Sequence, residues 1–154
     1  MKDATFDKAL IVLALQNIEN LQGTIKEAYR ALKLGGSFYI VLNHPAFRIP
    51  KNSSWNWDEK GNAQYRRIDA YMSDMRNKIE MNPGAIKEGE KKFTVSFHRP
   101  LQVYFKALTK AGFLVARLEE WVSHKESNPG PRAAEENRIR KEIPMFLLIE
   151  AKKI

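Results

Sequence analysis

A chain of 154 residues with 44% apolar and 10% aromatic content can bury one ordinary core, which excludes a disordered polymer. It has no cysteine, which excludes disulfides, thiolate metal sites and cysteine nucleophiles and fits a reducing cytoplasm. The formal net charge of +8 invites an anionic partner, but the 26 basic and 18 acidic residues are interleaved along the chain, as on a solvated surface rather than a nucleic-acid footprint.

Residues 1–15 place acids before a short apolar run, with no small-residue cleavage site and fewer apolar residues than the ~20 of a membrane span. They read as a soluble, untargeted start. Within them Ala9–Leu15 is continuously apolar, which predicts a strand of a parallel sheet covered on both faces. Leu21, Ile25, Ala28, Tyr29 and Leu32 then recur at helical spacing, with Asn20 as N-cap and Thr24 with Glu27 as a competing capping box. Gly35-Gly36 is expected to close that helix, and Ser37–Asn43 reads as a second buried strand. Strand, helix and strand make a right-handed βαβ unit with parallel strands.

Residues 44–99 read as an insertion. Met75–Met81 and Phe93–His98 alternate with period two on either side of Asn82-Pro83-Gly84, which predicts a long-tipped hairpin. A helix through Tyr65, Ile68, Met72, Met75 and Ile79 fits the first of these segments equally well. His98-Arg99-Pro100 opens the next helix, Leu101, Tyr104, Phe105, Leu108 and Ala111 form its stripe, and Gly112 stops it. Phe113–Trp121 reads as a strand. A polar stretch and a short charged helix with a Glu136–Arg140 pair lead to a final strand, Met145–Ile149. No long apolar helix separates these last two strands, so they are expected to be antiparallel.

Several local words add a family resemblance. Phe6-Asp7 before an apolar strand, Leu32-Lys33-Leu34-Gly35-Gly36, Asn43-His44-Pro45-Ala46-Phe47, His98-Arg99-Pro100-Leu101, and Ala111-Gly112-Phe113 with Glu119-Glu120 occur in that order. Together they resemble the C-terminal half of a class I S-adenosylmethionine-dependent methyltransferase of the type 11-like kind. The resemblance implies an α/β fold: a partial Rossmann-like sheet, the family's fourth to seventh strands with the last antiparallel, over residues 1–154, with 44–99 as an acceptor-side insertion.

It also implies chemistry, transfer of the sulfonium methyl of S-adenosylmethionine to a small-molecule acceptor. The family grips that cofactor on a glycine-rich turn after its first strand and an acid after its second. No GxGxxG pattern occurs here, so the isolated chain is expected to be inactive. What remains of the cofactor site is the end of the fourth strand, Leu13, Ala14, Leu15, Gln16 and Asn17. The expected partner is a separately encoded N-terminal half, or a second copy meeting the strand edge Ala9–Leu15. A non-catalytic half-domain is the rival reading, and a basic nucleic-acid-binding module a third.

His44, His98 and Tyr71 are the candidate catalytic residues. Imidazole titrates near neutrality, and His44 stands at the carboxyl end of a strand, where open α/β sheets bind ligands. The bland alternative for His44 is a turn-fixing histidine before proline. Phe47, Trp55, Trp57 and Arg99 are candidate acceptor contacts, against satellite-core packing for the aromatics and helix capping for Arg99. No metal is expected: three histidines at positions 44, 98 and 124, without a close carboxylate pattern, lack ligand spacing.

Overall fold

A computed structural model describes residues 4–81 and 91–154. The predicted hairpin tip at Asn82-Pro83-Gly84 lies outside them.

The chain runs β1 (Phe6–Val12), a single 3-10 turn (Leu15–Asn17), α1 (Leu21–Ala31), β2 (Leu32–Asn43), β3 (Ser53–Asp58), β4 (Ala63–Ile68), β5 (Met75–Glu80), β6 (Phe93–His98), α2 (Leu101–Ala111), β7 (Phe113–Trp121), α3 (Ala133–Glu142) and β8 (Phe146–Lys153). The main sheet has the order β1-β2-β8-β7. β1 is parallel to β2 across the α1 crossover, while β8 enters between β2 and β7 and is antiparallel to both. The last strand is therefore antiparallel, as expected where the connection holds only the short charged α3 and no long apolar crossover helix.

One face of the sheet carries the core. Phe38, Ile40 and Leu42 of β2 and Leu147, Ile149 and Ala151 of β8 meet Leu21 and Ile25 of α1 and Tyr104 and Leu108 of α2. Complete burial of a leucine or isoleucine is worth about 1.5–3 kcal/mol, so these central strands anchor the fold. Val41 and Leu148, on the alternate face, are buried as well. That double cover explains why β2 and β8 read as unbroken apolar runs.

Three expectations change. β1 is the sheet edge and is not covered on both faces: Leu10 is 67% and Val12 51% exposed, and only Ala9 and Ile11 pack against the core. It also ends at Val12. Leu13 turns into the left-handed region (φ 51°), which leads the chain into the 3-10 turn. Gly35-Gly36 does not close α1, which stops at Ala31. Both glycines lie in β2, where pairing jumps from Phe6–Leu32 to Lys8–Ser37 and Gly35 takes φ 78° to make the bulge.

At the start of α1, Asn20 is the cap: its side chain accepts from the Gly23 N–H at 2.8 Å. Thr24 instead donates to the Asn20 carbonyl, so the second capping box does not form. Gly112, with φ 98°, closes α2 as expected.

The insertion contains two hairpins. β5–β6 is the predicted one, with Met75 opposite His98 and Glu80 opposite Phe93. The helical alternative fails, because Ala63–Ile68 forms β4 and pairs with β3 in a hairpin that the alternation did not reveal. Among the described residues no helix is long and apolar enough to cross a membrane.

Candidate functional site

A cleft of about 410 Å³ opens at the carboxyl ends of β1 and β2, the edge at which open α/β sheets take ligands. Leu13 and Asn17 line it from the β1 side, Asn43 from the end of β2, Arg48 and Lys51 from the following loop, and Arg66 from β4. The β5–β6 hairpin adds Ile79 and Ser96.

The turn that bounds the cleft is locked. The Gln16 side chain, 6% exposed, donates to the Asn43 carbonyl at 3.1 Å and accepts the Asn43 N–H at 3.0 Å. Leu15 beside it is fully buried in the core. Of the five residues expected to face a cofactor, Leu15 and Gln16 thus hold the backbone in place, while Leu13 and Asn17 face the cleft and Ala14 is exposed.

The catalytic and acceptor candidates separate into distinct clusters. His44 is 3% exposed. Its Nδ1 accepts from the Ala46 N–H at 3.2 Å, which leaves Nε2 to donate to the Glu120 carboxylate of β7 at 2.8 Å. Its ring lies against Phe47. With both nitrogens engaged, His44 stitches the β2 exit to β7. His98, equally buried, bonds through Nε2 to the Tyr71 carbonyl at 2.9 Å, and the Tyr71 hydroxyl accepts the Leu101 N–H at 3.0 Å. That hydroxyl supplies the cap of α2 that Pro100 cannot.

Arg99 donates to the Ile18 and Glu19 carbonyls just before α1, at 3.0 and 2.7 Å. Its Nη1 and the Tyr104 hydroxyl are both buried without a hydrogen bond of normal geometry. Burial pushes the Tyr104 phenol up, and the neighbouring Arg99 charge opposes that shift. Trp55 lies under the Arg66 guanidinium at 4.9 Å, and Trp57 under that of Arg132 at 4.6 Å. The two tryptophans therefore serve as platforms for arginines.

Arg48, Lys51 and Arg66 were not anticipated. One signal was available, though not a specific one: residues 28–57 contain no aspartate or glutamate, an acid-free interval that the chain repeats at 91–118. Among the described residues no three His, Asp or Glu side chains gather as metal ligands.

A methyltransferase-domain family model matches residues 1–40, which hold β1, α1 and the start of β2. No curated protein matches the sequence. Among solved structures, an S-adenosylmethionine-dependent methyltransferase from Mesorhizobium loti superposes with a TM-score of 0.70 at 25% identity over 97% of this chain. A Listeria monocytogenes structure assigned to the same class gives 0.70 at 28% identity over 99%. This chain spans 63% of the length of each. A glycopeptide N-methyltransferase bound to S-adenosyl-L-homocysteine, at 16% identity and TM-score 0.52, shares the fold alone, over 99% of this chain and 56% of its own. On its sheet order, its family match and these structures, the chain has the class I S-adenosylmethionine-dependent methyltransferase fold.

Proposed function

We propose that these residues form the C-terminal, acceptor-side part of a methyltransferase that moves the sulfonium methyl of S-adenosylmethionine to a small molecule. The observation that carries this reading is the order β1-β2-β8-β7 with β8 antiparallel, opening a cleft where β1 and β2 end. In the family that order corresponds to the fourth, fifth, seventh and sixth strands.

The residues present fit one wall of the cofactor site. Leu13, Ala14 and Asn17, fixed from behind by Leu15 and Gln16, would border the methionine end. The glycine-rich turn and the ribose-binding acid must come from residues outside these 154. When bound, the cofactor supplies an electrophilic methyl on a sulfonium leaving group. The chain's own part is to exclude water and to hold the acceptor in line, an orientation effect rather than proton chemistry. The His44–Glu120 bond ties the β2 exit to β7, and the His98–Tyr71 bond ties the end of β6 to the loop before β5.

Calorimetry of these residues with S-adenosylmethionine tests the reading. We expect no binding in the low-micromolar range. Low-micromolar binding would show that the wall described here is a complete site and would overturn the division of labour. The rival, a half-domain with no catalytic role, keeps the same topology but predicts no acceptor binding in the cleft.

A further inference from the structure

The cleft is lined by three cations and no acid. Among the described residues neither Arg48 nor Arg66 stands in an ion pair. Arg66 is nonetheless fixed. Its Nε donates to the Phe47 carbonyl and its Nη2 to the Ser53 hydroxyl, both at 2.8 Å, and its plane lies over Trp55. Arg48 rests on the Phe146 ring at 5.1 Å. Burial lowers the pKa of both groups, and the Arg48 charge lowers Arg66 further. Two half-buried guanidinium groups lining one cleft cost free energy that an anion bound there would recover.

Neutral hydrogen-bonding groups complete the lining: Ser96, 6% exposed, and the polar side chains of Asn17 and Asn43. Guanidinium forks match the planar or tetrahedral oxygens of carboxylate and phosphate, and Arg66 is already held in place, so little ordering remains to be done on binding. We propose that this cleft binds the oxyanion group, carboxylate or phosphate, of a small methyl acceptor, gripped by Arg48 and Arg66 with Lys51 at the rim. An acceptor anchored there extends toward Leu13 and Asn17, which line the same cleft at the end of β1. Naming the ligand as the acceptor rests on the methyltransferase reading; the anion site itself does not.

The test uses the chain as it stands, without cofactor. Its arginine Nε–H signals are followed by NMR during titration with inorganic phosphate or acetate, with chloride at matched ionic strength as control. Phosphate or acetate should shift Arg48 and Arg66 in a saturable way that chloride does not reproduce. Arg48→Gln should weaken that binding by about tenfold. Lys60→Gln, in the β3–β4 turn, should leave it unchanged. Arg66→Lys keeps the charge but loses the fork, and should weaken binding even though Arg66 also supports the loop.

Tighter phosphate than acetate identifies a phosphoryl acceptor, and the reverse identifies a carboxylate one. Equal affinity in native and Arg48→Gln chains, or no response beyond that to chloride, overturns the site. Loss of the anion response would leave cofactor binding untouched, and a failed cofactor experiment would leave the anion response intact, so the two proposals fail separately.

Discussion

Replacing Gln16 probes the lock that sets the end of β1 against the end of β2. Its amide satisfies both backbone groups of Asn43, at 3.1 and 3.0 Å. An unsatisfied buried group costs about 1–3 kcal/mol, and Asn43 is only half-buried, so two lost bonds amount to about 2 kcal/mol. Gln16→Met keeps most of the volume and should show this loss alone. Gln16→Ala adds a small cavity at a 6% exposed site, for about 3 kcal/mol in all. At roughly 2–4 °C per kcal/mol for a chain of this size, the alanine variant should melt about 6–12 °C lower. Urea unfolding monitored by tryptophan fluorescence gives the free energy directly, with the slope reporting whether the transition stays two-state. A change within about 0.5 kcal/mol for Gln16→Met would mean that water replaces the amide freely and that the turn is not locked.

Tyr104→Phe removes a buried hydroxyl that lacks a partner, so it should leave stability unchanged or raise it; a loss above about 1 kcal/mol would show that the hydroxyl is bonded to Arg99 or Gln16. Burial pushes the Glu150 carboxyl up, but hydrogen bonds from Tyr39 and Ser37 and the Arg117 charge outweigh it and hold the group below the usual carboxylate range. Its stabilising contribution is therefore full above the unfolded value and disappears as pH falls through the folded one. Glu150→Gln should flatten the acid limb of the stability curve, and an unchanged limb would contradict the assignment. β1 presents an unblunted apolar edge, so the chain should self-associate at tens of micromolar and Leu10→Lys should suppress it; a monomeric native chain in sedimentation would sink that expectation.

Elements with an internal signal were legible. The apolar stripes of α1 and α2, the runs in β2 and β8, and the alternation in β5 and β6 carry their periodicity locally. The ends of β1 were not, because Leu13–Leu15 continue the apolar run while the backbone turns to bring Gln16 to Asn43. β3 and β4 escaped notice because the β3 tryptophans cover arginines, Arg66 of β4 across the hairpin and Arg132 far along the chain, rather than an apolar face.

The site was less legible for a related reason. His44 is hydrogen-bonded to Glu120, 76 residues away, and His98 to the Tyr71 carbonyl, 27 residues away, long-range partners that residue type alone could not reveal. The cationic cleft is assembled from a loop and a strand that adjoin only after β3 and β4 pair.

We propose that β1, an edge strand here, becomes an internal strand when a glycine-rich segment pairs with it and completes the cleft at its end. The direct measurement joins such a segment ahead of Ala4 and follows S-adenosyl-L-homocysteine binding together with amide exchange along Phe6–Val12. Low-micromolar binding is expected, with slowed exchange at those amides relative to the chain alone. Tight binding with Phe6–Val12 exchanging as fast as before would contradict it, because the added residues would then have built a site without pairing to the edge.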